Sequence, residues 1–197
     1  MKTTKFTTEE EWLEARRGRI TGTRVKDLIV KRGTKPKIGF YEILAERIAL
    51  PSSGESMMDR GKRLEEVAIE LFAERTGKKV NTDLVLWHRE DDENIAISPD
   101  GYIGATEAVE VKCLSSARHI EAFLTQEIPS EFEAQAMQYF VVNDSLKKLY
   151  FVFYDPSMPK DLFWIEKERD DDQVQYYLDL EREALKQIEE IEKTLTF

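Results

Sequence analysis

Apolar positions along this 197-residue chain switch between two periods, and the switches mark its elements. Between Met57 and Thr76 they recur at Leu64, Val67, Ala68, Leu71 and Phe72, the i, i+3, i+4, i+7, i+8 stripe of an amphipathic helix, and Gly77 is placed to cap its end. The period then falls to two. Val80 to His88, Ile95 to Ser98 and Ala108 to Leu114 read as strands, the last two joined by the turn-rich Asp100-Gly101-Tyr102-Ile103-Gly104. Ser116 to Gln126 and, after Pro129, Glu131 to Val142 read as helices, and the aromatic and β-branched run Leu149 to Tyr154 reads as a buried strand. Asp170 to Leu195 returns to helical spacing through Val174, Leu178, Leu185, Ile188 and Leu195.

Upstream, Thr7 and Thr8 stand three residues before Glu10 and Glu11, a capping box opening a short helix through Trp12 and Leu13 that stops near Gly18. Thr21 can cap a second helix covering Val25, Leu28 and Ile29. Lys31 to Gly39 reads as an exposed loop, and Phe40 to Leu50 as a helix ended by Pro51-Ser52-Ser53-Gly54. The pattern predicts an α/β (α+β) fold over residues 1–197 as a single domain: a small mixed sheet flanked by helices, with the helix at about 170–195 packing on the core or at a subunit interface.

With 41% apolar and 35% charged residues the chain is neither disordered nor collagen-like, and no run of about 18 apolar residues is present to span a membrane. Met1 to Lys5 lead into Glu9-Glu10-Glu11 without an apolar signal core, and the lone Cys113 cannot form an internal disulfide; a reducing, cytoplasmic setting is the expectation. The net charge of −10 argues against nucleic acid until its distribution is considered. Arg16 to Lys37 holds nine basic residues (Arg16, Arg17, Arg19, Arg24, Lys26, Lys31, Arg32, Lys35, Lys37) and one acidic, Asp27, so this segment carries +8 and the remainder −18. Such a basic stretch in an acidic body is an electrostatic footprint for a polyanion.

The chemistry concentrates in Ile97-Ser98-Pro99-Asp100-Gly101 and Val109-Glu110-Val111-Lys112-Cys113. On a strand, Glu110 and Lys112 share one face, and Val109, Val111 and Cys113 share the other, toward the core. A hairpin-like return would bring Asp100 beside Glu110. Two carboxylates at the end of a sheet are hard oxygen ligands for Mg²⁺ or Mn²⁺, and a lysine two residues on can hold an attacking water. Phosphodiester hydrolysis needs this combination of charge neutralisation, an activated water and in-line placement. Glu-x-Lys alone is the ordinary pattern of a surface strand with a cross-face ion pair. Three features lift it here: Pro99-Asp100 upstream, the apolar strand around it, and Glu65 at the edge of the Leu64–Ala68 stripe, where it can face the sheet. Glu66 beside it reads as solvated. His88 and His119 are too few and too scattered for a zinc site and read as satisfied polar positions; no Gly-rich phosphate loop is present.

The ordered set Trp12, Arg16-Arg17-Gly18-Arg19-Ile20-Thr21-Gly22-Thr23, Gly61 to Glu65, Ser98-Pro99-Asp100-Gly101, Glu110-Val111-Lys112-Cys113, Gln135 and Tyr154-Asp155-Pro156 resembles the lambda exonuclease (YqaJ-type viral recombinase) family of the PD-(D/E)xK nuclease superfamily. The resemblance implies a restriction-endonuclease-like core and a Mg²⁺-dependent 5′→3′ exonuclease that acts on double-stranded DNA ends and leaves 3′ overhangs for recombination, with Mn²⁺ a possible substitute. It implies a homotrimeric ring and a single-strand-annealing partner protein. It also implies that Asp100, Glu110 and the Val111 carbonyl bind metal, that Lys112 positions the water, and that Glu65 completes the metal and water shell. Gln135 would touch that shell or the scissile strand. Arg16 and Thr23 match the positions that hold the 5′-terminal phosphate, with Arg19, Lys31, Arg32, Lys35 and Lys37 as further DNA contacts. Thr23 stands where the family usually has serine, and Met137 where it often has a second glutamine. The rival readings are a structure-specific or single-strand endonuclease of the same superfamily, and a DNA-end-binding module without turnover.

Overall fold

The computed structural model describes residues 57–195 together with Thr8, Glu11, Glu14, Tyr41 and Ala45. The DNA-contact candidates Arg16, Arg19, Thr23, Lys31, Arg32, Lys35 and Lys37, and most of the early helices, lie outside the described residues. Where those helices are described they agree with the sequence pattern. Glu11, Glu14, Tyr41 and Ala45 are helical, and the Glu11 N–H donates to Thr8 Oγ1 at 3.2 Å, the capping contact expected there.

In chain order the elements are α1 (Met57–Thr76), β1 (Trp87–His88), β2 (Ala96–Ile97), β3 (Gly101–Ile103), β4 (Glu107–Lys112), α2 (Ser116–Thr125), a 3₁₀ turn (Ser130–Phe132), α3 (Glu133–Val142), β5 (Lys148–Tyr154), β6 (Leu162–Glu168) and α4 (Asp171–Leu195). Four strands form one sheet in the order β3-β4-β5-β6, and β1 pairs β2 in a separate ribbon. This is the mixed α/β architecture the periodicity predicts.

The backbone divides into two compact units interleaved along the sequence. The first comprises residues 1–64, 113–126 and 153–163. Its described core gathers Tyr41, Ala45, Ala117, Ile120 and Met158. Fully buried Asp155 accepts a hydrogen bond from Ser116 Oγ at 2.5 Å, fastening the start of α2. His119 is buried, with its Nε2 2.8 Å from the Lys160 carbonyl and its ring edge-on to Phe163, so the satisfied polar position expected there holds at Nε2.

The second unit comprises residues 65–112, 127–152 and 164–197. Phe72 of α1 is fully buried between Tyr150 of β5 and Trp164 of β6, each ring centroid 5.2 Å away. Gly77 ends α1 in the left-handed region at φ 69°, its N–H returning to the Ala73 carbonyl, as the sequence predicts. The buried face of α1 is rotated from the predicted stripe. Ala68, Ile69 and Phe72 are buried while Val67 is 39% exposed, so the face turns toward the Glu65 side. Two arginines hold the last turn of α3. Buried Arg89 ion-pairs with Asp91 and Asp144 and donates to the Val141 carbonyl, and Arg169 donates to the Phe140 carbonyl at 2.7 Å. Cations on the free carbonyls of a helix C-terminus satisfy them and complement its dipole. α4 packs along α3 through buried Val174 and Leu178.

Three strand expectations are corrected. Val80 to His88 is not one strand: among the described residues only Trp87–His88 and the single bridge Asn81–Tyr102 pair, and Leu84 and Leu86 are exposed, because no described strand lies alongside residues 82–86. Gly101–Ile103 is itself a strand rather than the turn, which falls at Gly104 with φ 59°. β6 has no counterpart in the sequence reading. Cys113 is half-buried rather than a core residue. No helix among the described residues is long and apolar enough to cross a membrane.

Candidate active site

The hairpin register builds the site. Gly101 pairs with Val109, Tyr102 with Ala108 and Ile103 with Glu107, so the residue before Gly101 faces the residue after Val109: Asp100 stands opposite Glu110. Gly101 is required by close approach, since a Cβ there would lie 2.6 Å from Val80 Cγ1. Asp100 is locked to the strand it faces, its Oδ2 accepting the Val111 N–H at 2.7 Å. Lys112 returns to the same face two residues on, and its Nζ lies 2.6 Å from Glu110 Oε1.

Glu110 is only 2% exposed, so both faces of β4 are covered at this point rather than one. A carboxylate this deep needs partners. α3 supplies two from consecutive turns of one face: Gln135 Nε2 donates to Oε1 at 2.7 Å and the Tyr139 hydroxyl donates to Oε2 at 2.5 Å. Burial, with the Glu110 charge and hydrogen bond, raises the Tyr139 hydroxyl well above its ordinary range, so it remains a donor. Gln135 is among the residues expected at the site from sequence, and Tyr139 is not. The signal was present: Tyr139 lies four residues beyond Gln135 on a helix, hence on the same face. Met137, at the position of the missing second glutamine, is fully buried.

Burial pushes the Asp100 carboxyl up to about 7 from 3.8, with the Glu110 charge adding to the shift, the Val111 N–H opposing it and Glu65 contributing further repulsion. Glu65 is half-buried on α1, and its charge acts on Asp100. Glu66 is exposed. Yet among the described residues no three His, Cys, Asp or Glu side chains gather closely enough to hold a metal, so Glu65 does not complete a three-carboxylate cluster with Asp100 and Glu110. The donor chemistry nevertheless fits a hard divalent cation. Two facing carboxylates in a partly desolvated site repel each other, and a cation between them relieves both that repulsion and the desolvation.

The raised Asp100 carboxyl has a consequence for stability. In the metal-free protein its folded-state value of about 7 exceeds the unfolded value of 3.8, so its contribution is fully present below about pH 4 and is lost as pH rises through 7. Asp100→Asn keeps the acceptor for the Val111 N–H and removes the charge. It is expected to stabilise the metal-free protein by about 2 kcal/mol at pH 8 and to change little at pH 4, read as melting temperature by calorimetry. Equal melting temperatures of variant and wild type at both pH values would show that Asp100 is not held in a charge-disfavouring site.

Residues 11–145 match the model of the YqaJ-like viral recombinase domain. The fold is similar to crystal structures of LHK-Exo, an alkaline exonuclease from Laribacter hongkongensis. With its dAMP complex the identity is 27% and the TM-score 0.61, over 94% of this chain and 97% of that one. With a second structure of LHK-Exo the figures are 26% and 0.58, over 95% of this chain and all of that one. A comparison of the sequence with curated proteins finds no match.

Proposed function

This chain belongs to the YqaJ-like viral recombinase domain family, and from that premise we propose that it is a divalent-metal-dependent 5′→3′ exonuclease on double-stranded DNA ends. The observation that carries this reading is Asp100 facing Glu110 across a hairpin with Lys112 on the same strand face. The likeness to an alkaline exonuclease supports it. Asp100, Glu110 and the Val111 carbonyl would hold Mg²⁺ (or Mn²⁺), with Glu65 nearby. When bound, the cation supplies the positive charge that phosphodiester hydrolysis requires. The chain's own groups do the rest. Lys112 donates a hydrogen bond to the attacking water and carries positive charge beside the phosphate oxygens as negative charge develops on them. Gln135 and Tyr139 hold Glu110 in one rotamer, so the carboxylate pair does not reorganise during turnover.

The reading extends beyond the described residues. Arg16 and Thr23 would receive the 5′-terminal phosphate, and the Arg16–Lys37 segment would line a ring of three copies, gathering the basic charge inward and leaving the acidic remainder outside. The resulting 3′ overhangs would be used in recombination by a single-strand-annealing partner.

The test is a digest of 5′-phosphorylated linear duplex, 5′-hydroxyl linear duplex and covalently closed plasmid, with Mg²⁺ and with chelator. The expected result is Mg²⁺-dependent release of nucleotides from the 5′ end, faster for the phosphorylated substrate, with the plasmid intact. Nicking of the plasmid at a comparable rate would make the protein an endonuclease. Retention of linear ends without cleavage would make it an end-binding module.

A further inference from the structure

Three groups reach the Glu110–Lys112 pair from one short segment, and two of them are Gln135 and Tyr139. The third is Phe132, on the 3₁₀ turn that leads into α3. Its ring lies 5.1 Å from Lys112 Nζ, so the ammonium sits between a carboxylate oxygen 2.6 Å away and an aromatic face. Phe132 is itself fixed. Its N–H donates to the Pro129 carbonyl at 2.8 Å, and its ring packs on Phe151 of β5 with centroids 6.1 Å apart. We infer that Phe132 is a positioning residue: its ring face holds the Lys112 ammonium where the attacking water must be met.

The two contacts to Lys112 differ in kind. Glu110 is a candidate cation ligand, and a carboxylate that shares its charge with a cation holds an ammonium less firmly. The phenyl ring has no charge to share, so its quadrupole keeps its hold on Nζ in either circumstance. A lysine side chain otherwise has four freely rotating bonds, and ordering it at the moment of reaction costs entropy. Confinement against a ring that is packed on the sheet removes part of that cost beforehand. The ring face is also a far weaker acceptor than a carboxylate, so it competes little for the N–H groups directed at water. Phe132, Gln135 and Tyr139 thus form one device on the turn and first turns of α3. The last two orient Glu110, and the first orients Lys112.

The inference rests on the nuclease reading, and the experiment keeps the two separable. Phe132→Leu retains the apolar contact with Phe151 and removes the ring face. It is expected to lower kcat about tenfold with KM and DNA-end affinity within about twofold of wild type. Phe132→Tyr, which restores a ring face, should recover most of that loss. In a Lys112→Ala background, measured in single turnover with enzyme in excess, adding Phe132→Leu should cost nothing further, because the group it acts through is gone. Independently of activity, the ε-methylene protons of Lys112 should show an upfield ring-current shift by NMR that Phe132→Leu abolishes. A change in KM or end affinity with kcat unaltered would mean that Phe132 touches DNA instead and would overturn the inference. So would an additive loss in the Lys112→Ala background, or the absence of a ring-current shift in wild type. If Lys112→Ala itself cleaves like wild type, the nuclease assignment fails. If Lys112→Ala is inactive while Phe132→Leu matches wild type, only the role of Phe132 fails.

Discussion

Asp100→Ala is expected to lower cleavage of linear duplex DNA by at least about a thousandfold, and Glu110→Ala by as much or more, at saturating Mg²⁺. Each removes half of a facing carboxylate pair, and with it both cation affinity and charge stabilisation at the reacting phosphate. The two variants part company in stability. Asp100 accepts one hydrogen bond, from the Val111 N–H, and its charge is disfavoured where it sits, so removing the charge offsets the loss of that acceptor and Asp100→Ala should melt close to wild type. Glu110 accepts from Lys112, Gln135 and Tyr139 in a buried site, and Glu110→Ala strands all three donors. Tyr139 is the buried one of the three, and leaving a buried donor unsatisfied costs roughly 1–3 kcal/mol, so Glu110→Ala should melt below wild type. Glu110→Gln keeps the shape and acceptors for part of the set, and it is the cleaner test of the charge. Cleavage by Asp100→Ala and Glu110→Gln within about tenfold of wild type would exclude the pair as the catalytic centre.

The second large effect is on cation binding. The Asp100 carboxyl is pushed up to about 7, and a proton on it competes with any cation the pair takes up. Mn²⁺ affinity measured by calorimetry without DNA should therefore fall about tenfold between pH 8 and pH 6 and continue to fall below that. Binding at pH 6 should release close to one proton per ion, visible as a dependence of the measured heat on the buffer. Asp100→Asn should bind weakly and lose most of this pH dependence. An affinity that is the same at pH 6 and pH 8 would separate Asp100 from the cation site. The same proton gives the activity its sign: cleavage should rise with pH through neutrality, as Asp100 becomes available as a ligand.

What could be read from the chain alone is what depends on neighbours in sequence. Strand alternation places Glu110 and Lys112 on one face without knowledge of the rest of the molecule, and Asp100 meets Glu110 within a single hairpin. α1, α2, α3, β5 and α4 each carry a strong enough period to be found within a residue or two of their ends. Only tertiary structure decided which parts of a weaker pattern pair. Residues 82–86 alternate much as a strand should, but with no described strand alongside they do not pair, whereas Gly101–Ile103, which begins with a glycine and runs into Gly104, becomes a strand because Val109 to Glu107 lies alongside. β6 is a strand through its place beside β5. The burial of Glu110 was equally invisible. An alternating strand implies one solvated face, and it is the covering of that face by α3 that creates the demand for Tyr139 and Gln135 and brings Phe132 against Lys112. Side-chain period is a property of the backbone and survives in any context; desolvation, and the partners it makes necessary, comes from elements distant in sequence.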